Sequence, residues 1–138
     1  MSLVKIACIQ TNSSSDPDEN IDAVSDLIRK ASASGAQIIT TPEVVGMLEP
    51  NRTLALSKAE PEKHHRVLKA FRELALELDI WLLIGSISIK ISETKLSNRS
   101  FLIDSNGEIV ARYSKIHMFD VEVGDGNQYL ESNTYEPG

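Results

Sequence analysis

The chain has 138 residues, 41% of them apolar and 25% charged, with seven glycines and five prolines. That balance predicts one soluble globular domain and excludes disordered and collagen-like classes. Fourteen Lys and Arg against twenty Asp and Glu give a net charge of -6, so neither a phosphate backbone nor any other nucleic acid surface is an expected partner. No apolar run reaches the ~20 residues of a membrane span, and Met1-Ser2-Leu3-Val4-Lys5 lacks a basic stretch followed by an apolar signal core. The expectation is a cytoplasmic protein with no membrane partner. A single cysteine excludes an internal disulfide or a Cys-rich metal site and agrees with a reducing compartment.

Residues 4–10 (VKIACIQ) predict a short strand covered on both faces. Asp16-Pro17-Asp18-Glu19 then supplies an N-cap, a proline at the first helical position and an acidic third residue. Ile21, Val24, Ile28 and Ala31 fall at helical spacing, and Gly35 stands where a left-handed residue closes a helix. Residues 36–41 (AQIITT) read as a second buried strand that stops at Pro42-Glu43. A polar loop runs through Arg52, and residues 62–78 predict a helix with Val67, Phe71, Leu74 and Leu78 on one stripe. Residues 80–89 (IWLLIGSISI) predict a third strand. A loop at 90–97 leads to a strand at 100–103, and Asp104-Ser105-Asn106-Gly107 is hairpin-turn chemistry before a last strand at 108–113.

Strand directions follow from the connections, because helical crossovers keep neighbours parallel while short turns reverse them. Two reversals after the third strand make residues 108–113 parallel to residues 36–41. Glu43 and Lys115 therefore leave the same carboxyl edge of the sheet, where open α/β sheets bind ligands. Residues 116–138, with Gly124, Asp125, Gly126 and Asn127, show no periodicity and read as a loop.

Five groups carry potential chemistry. Glu43, flanked by Pro42 and Val44-Val45, has apolar neighbours that would raise its pKa and suit it to general-base work; a solvated carboxylate in a turn is the commoner occupant of such a position. Lys115, within Tyr113-Ser114-Lys115-Ile116-His117-Met118-Phe119-Asp120, is a cation able to stabilise negative charge on an oxygen, or simply a snorkelling side chain. His117 reads as structural, since no His or Cys nearby completes a metal site. Cys8 lies in an apolar strand without a cation and reads as buried and inert, while the adjacent His64 and His65 diverge on a helix and read as a solvated face.

The order of these elements resembles the N-terminal half of the nitrilase-like carbon-nitrogen hydrolase superfamily. Its most specific pieces are Thr41-Pro42-Glu43, the Gly85-Ser86 pair, Asn98, Asp104-Ser105-Asn106-Gly107 and the segment from Tyr113 to Asp120. Glu131-Ser132 through Pro137-Gly138 is similar to the segment that approaches the nucleophile, in the branch containing omega-amidase and deaminated-glutathione amidase. The resemblance implies an α/β fold that is half of a four-layer α-β-β-α sandwich, mostly parallel with a hairpin, occupying residues 1–138 as the N-terminal part of one domain. It implies hydrolysis of a non-peptide C-N bond in a small amide, with no cofactor and no metal. Glu43 would be the general base, Lys115 the cation supporting the tetrahedral intermediate and Glu131 an auxiliary carboxylate. The family's nucleophilic cysteine has no counterpart within these residues, so the chain alone is expected to be inactive and to expose an apolar sheet face. Self-association is implied too. A non-catalytic α/β module that binds a small molecule or a partner chain remains the alternative. Arg52, which could pair with a substrate carboxylate, reads as a solvated loop residue.

Overall fold

The computed structural model describes residues 3–124 and 128–138. Asp125, Gly126 and Asn127, part of the tail reading, and Met1-Ser2 lie outside the described residues. Five strands, β1 (Ile6–Cys8), β2 (Ile38–Thr40), β3 (Trp81–Lys90), β4 (Leu96–Ile103) and β5 (Ile109–Ser114), form one mixed sheet in sequence order. β1, β2 and β3 pair in parallel, and β3–β4 and β4–β5 are antiparallel. The counted strand directions are therefore those of the structure.

Helix α1 (Pro17–Ala33) begins as its sequence dictates, with the Asp16 carboxylate accepting from the Asp18 and Glu19 amides. Its Val24 and Ile28 are buried, and Ile21 and Ala31 pack against the core. Helix α3 (Arg66–Leu78) lies beside α1 on one face of the sheet and buries Val67, Leu68, Phe71, Leu74 and Ala75. Together they cover Ile39, Leu82, Ile84, Phe101 and Ile103, each such side chain contributing about 1.5–3 kcal/mol by leaving water. The hairpin turn between β4 and β5 is closed by the Asp104 carboxylate, which accepts from the Asn106 and Glu108 amides at 2.9 Å, and Gly107 takes a φ of 74°.

Several expectations need correction. β1 is not covered on both faces: it is an edge strand of three residues, with Ile6 and Cys8 exposed. An apolar run looks the same in sequence whichever part of a protein covers its second face. Cys8 is thus accessible, not buried. The loop through Arg52 contains a further helix, α2 (Arg52–Lys58), capped by the Asn51 side chain and too short for its periodicity to register. The predicted helix at 62–78 divides into a 3-10 turn (Glu62–His64) and α3, whose N-cap is His65.

His65 consequently belongs to the interior rather than to a solvated face. Its Nε2 donates to the Ser88 carbonyl at 3.2 Å, which leaves Nδ1 to accept from the Leu68 amide. The tail is not simply a loop either. β6 (Asp120–Glu122) pairs antiparallel with β7 (Gln128–Leu130), and a 3-10 turn (Glu131–Asn133) follows. Three-residue strands carry no readable alternation, and tertiary contacts fix them, including the Ser132 amide on the Asp120 carboxylate at 2.9 Å.

Candidate active site

The carboxyl edge of the sheet is shaped by one irregularity. β3 bulges between Ile84 and Ile87, and the bulge residues Gly85 and Ser86 face the end of β2. The Gly85 amide donates to Thr41 Oγ1 at 3.2 Å and the Ser86 amide to the Pro42 carbonyl at 3.3 Å. Ser86 Oγ accepts from the Val44 amide at 2.8 Å and its carbonyl from the Val45 amide at 3.0 Å. Glu43 is thereby clamped at a tight turn. Val44 has a φ of 54°, a conformation costly for a β-branched residue and sustained only where surrounding contacts over-determine it. A Cβ on Gly85 would lie 2.3 Å from the Thr41 carbonyl oxygen, so only glycine admits this approach.

Lys115 follows β5 and is held through its backbone on both sides. Its amide donates to the Asn98 carbonyl at 2.9 Å and its carbonyl accepts from the Gly138 amide at 2.8 Å. Its Nζ reaches Glu43 Oε1 at 2.9 Å and Glu131 Oε2 at 2.9 Å. The structure thus brings together all three residues singled out in the sequence, drawn from three separate segments. The ammonium fills the space between the two carboxylates. Among the described residues no group of three His, Cys, Asp or Glu side chains is arranged to hold a metal ion.

The two carboxylates differ in environment. Glu131 has 14% of its side chain exposed and Glu43 57%. Glu131 also accepts from the Phe119 amide at 2.6 Å and from Asn98 Nδ2 at 3.3 Å. Glu43 accepts from Asn98 Nδ2 at 2.7 Å. The hydrogen bond from Lys115 holds the Glu43 carboxyl below its ordinary value; partial burial opposes this and Asn98 assists. The apolar sequence neighbours of Glu43 were expected to raise it, and the cation met in space reverses that sign. Burial pulls the Lys115 ammonium down, but its bonds to Glu131 and Glu43 outweigh burial and raise it overall. Glu43 and Lys115 are both charged at neutral pH.

The cluster lines a cleft of about 550 Å³, a volume suited to a small molecule, whose walls include Leu48, Arg52, Phe119, Tyr129 and Tyr135. A larger surface hollow of about 780 Å³ lies between α3 and β5 and contains none of the three residues. Arg52 is exposed, as expected, but it opens α2 instead of lying in a loop, and its guanidinium donates to the carbonyls of Asn133 and Thr94 at 3.0 and 2.9 Å. No hydrogen bond among the described residues links Cys8 to the cluster. Chemically, the site offers an ionised carboxylate able to take a proton, with a cation beside it able to stabilise an oxyanion.

Sequence reasoning missed two contributors. The Phe119 amide carries no side-chain signal. Asn98 stood out only as one residue of a resemblance: it belongs to the polar run Ser97-Asn98-Arg99-Ser100, ahead of the strand expected at 100–103, whereas the structure starts β4 at Leu96 and buries Asn98 within it.

Comparison with known proteins agrees with this fold. The family described as carbon-nitrogen hydrolase matches residues 5–138. A deaminated glutathione amidase of Yersinia enterocolitica is 33% identical over 141 residues, covering 100% of this chain and 49% of that protein. Omega-amidase NIT2 of Pongo abelii is 30% identical over 138 residues, covering 100% of this chain and 49% of that protein. The crystal structure of an amidase from Nesterenkonia sp. superposes with a TM-score of 0.79 at 26% identity, covering 98% of this chain and 48% of the other. The chain spans about half the length of the curated relatives it matches. With the family match running along nearly its whole length and the fold of an amidase half around a Glu-Lys-Glu cluster, the chain belongs to the carbon-nitrogen hydrolase family.

Proposed function

We propose that this chain is the N-terminal part of a carbon-nitrogen hydrolase domain and that the domain hydrolyses the amide of a small carboxylic acid. The observation that carries the proposal is Lys115 Nζ standing 2.9 Å from both Glu43 and Glu131 at the rim of a cleft of small-molecule size. Glu43 is the general base, Lys115 the cation and Glu131 the auxiliary carboxylate that orients Lys115. The nucleophile is a cysteine thiol from outside these 138 residues, in line with the family resemblance.

Glu43 takes the thiol proton, the sulfur attacks the amide carbon, and the carbonyl oxygen becomes an oxyanion facing the Lys115 ammonium. Collapse of that intermediate breaks the C-N bond, with the proton on Glu43 passing to the leaving nitrogen, which departs as ammonia. Water then attacks the thioester, giving up its proton to Glu43, and releases the acid and the thiol. A base kept ionised by its cation is ready at neutral pH, at the cost of some basicity.

Two further parts of the proposal concern surroundings. The open sheet face carries Ile6, Trp81, Leu83 and Tyr113, all exposed, and leaving such a surface in water costs about 25 cal/mol per Å²; copies of the 138-residue chain on its own pack these faces together. The single cysteine and a thiolate mechanism suit a reducing compartment, the cytoplasm. No helix among the described residues is long and apolar enough to cross a membrane.

The test is ammonia release from short dicarboxylic monoamides, measured with the 138-residue chain and with the product of its full coding sequence. Turnover is expected only where a cysteine-bearing segment joins this one. Turnover by the 138-residue chain alone would overturn the assignment of the nucleophile to another segment.

A further inference from the structure

Besides Lys115, Asn98 is the one side chain among the described residues that contacts both carboxylates of the cluster. Its Nδ2 lies 2.7 Å from Glu43 Oε1 and 3.3 Å from Glu131 Oε1, so the two hydrogens of the amide are divided between the two acids. Its backbone carbonyl accepts from the Lys115 backbone amide at 2.9 Å. One residue thus bonds both carboxylates through its side chain and the lysine through its backbone. It is 4% exposed and sits within β4, where packing leaves its amide little freedom to turn.

The distribution of donors over the four carboxylate oxygens is uneven. Glu131 Oε1 receives Asn98 and Lys115, and its Oε2 receives Lys115 and the Phe119 amide. Both of its oxygens are occupied. Glu43 Oε1 likewise receives Asn98 and Lys115, whereas among the described residues no group donates to Glu43 Oε2. Among the described residues, Glu43 Oε2 is thus the one carboxylate oxygen of the pair that keeps its lone pairs for a proton.

We propose that Asn98 is the positioning residue of this site: holding Oε1 of Glu43 against Lys115 leaves Oε2 as the oxygen that accepts the proton, while the second amide hydrogen helps commit Glu131 to the lysine. The inference rests on the reading of Glu43 as general base. Its physical logic is the division of labour between two chemically identical acids. Without a donor shared between them, either carboxylate could rotate to take a larger share of the three lysine hydrogens, and the acid that takes the proton would be undefined.

The experiment is an NMR titration of the 138-residue chain labelled with 13C at glutamate carboxyls and 15N at asparagine amides. Both side-chain amide protons of Asn98 are expected to shift as Glu43 is protonated, and Glu43→Gln to abolish that pH dependence. In Asn98→Leu, the Glu43 carboxyl is expected to titrate at higher pH than in the parent chain. Because the buried Asn98→Leu change can disrupt folding, the parent and Glu43→Gln titrations decide the matter without it. Asn98 resonances that stay flat across the Glu43 titration would overturn the proposal, as would an unmoved Glu43 titration in a folded Asn98→Leu chain. Neither readout requires turnover, so ammonia release that survives Glu43→Gln would refute the catalytic reading while leaving these shifts in place.

Discussion

The two faces of the sheet are built from the same kinds of residue and have opposite fates. Along β3, Leu82 and Ile84 are fully buried under α1 and α3, while Trp81 and Leu83 on the other side are 42% and 39% exposed. β2 divides the same way, with Ile39 buried and Ile38 and Thr40 half-buried. Strands apolar on both faces belong to a sheet between two layers, and here one layer consists of the helices and the other is missing from the described residues. The covered face therefore carries the stability of the chain. The open face, with the charged site at its rim, is left uncovered by the described residues.

This difference can be broken from either side. Phe71→Ala, at the centre of the covered face, is expected to cost about 3–5 kcal/mol, read as a lowered denaturation midpoint. A loss below about 1 kcal/mol would mean the helices do not bear the core. Gly85→Ala places a methyl group against the Thr41 and Pro42 backbone and is expected to cost about 1–3 kcal/mol while moving the Glu43 resonances. Unchanged Glu43 signals would show that the bulge does not set the turn.

His65 sharpens the picture on the covered side. Burial holds its pKa below the ordinary 6.5, only partly offset by the Ser88 carbonyl. A base depressed in the folded state binds more protons when unfolded, so stability is complete above about 6.5 and falls as pH drops toward the folded value. Protonation also removes the lone pair that caps α3, a cap worth about 1 kcal/mol. Chemical denaturation between pH 7.5 and 5 is expected to show this loss, and His65→Asn, which caps without titrating, to flatten it. An equal slope in both chains would exclude His65 as its source. On the open face, Leu83→Asp is expected to change the stability of the separated chain by no more than about 0.5 kcal/mol yet abolish association in sedimentation. Sedimentation identical to the parent chain would mean that copies do not meet on this face.

Local signals were legible and spatial ones were not. Asp16-Pro17 announces α1 because a cap is written within four residues, and the juxtaposition of Glu43 with Lys115 follows from counting strand reversals. By contrast α2 is held from outside itself, with Lys58 Nζ on the Ser15 carbonyl at 2.9 Å and on Glu49 at 2.7 Å. His65 is buried because Ser88, 23 positions away, lies beside it. The direction of the Glu43 shift was misread for the same reason: its sequence neighbours are apolar, but its nearest cation is 72 positions distant.

The most direct test of the site is kcat/KM for a short dicarboxylic monoamide, measured across pH with the product of the full coding sequence and its Glu43→Gln variant. A general base contributes on the order of 10²–10⁴ in rate, so Glu43→Gln is expected to lower kcat/KM by about that factor. In the parent protein the acid limb should lie below the ordinary carboxylate value of 4.5, as the Lys115 hydrogen bond requires. A Glu43→Gln protein that retains the parent's kcat/KM would contradict the assignment of Glu43 as the base.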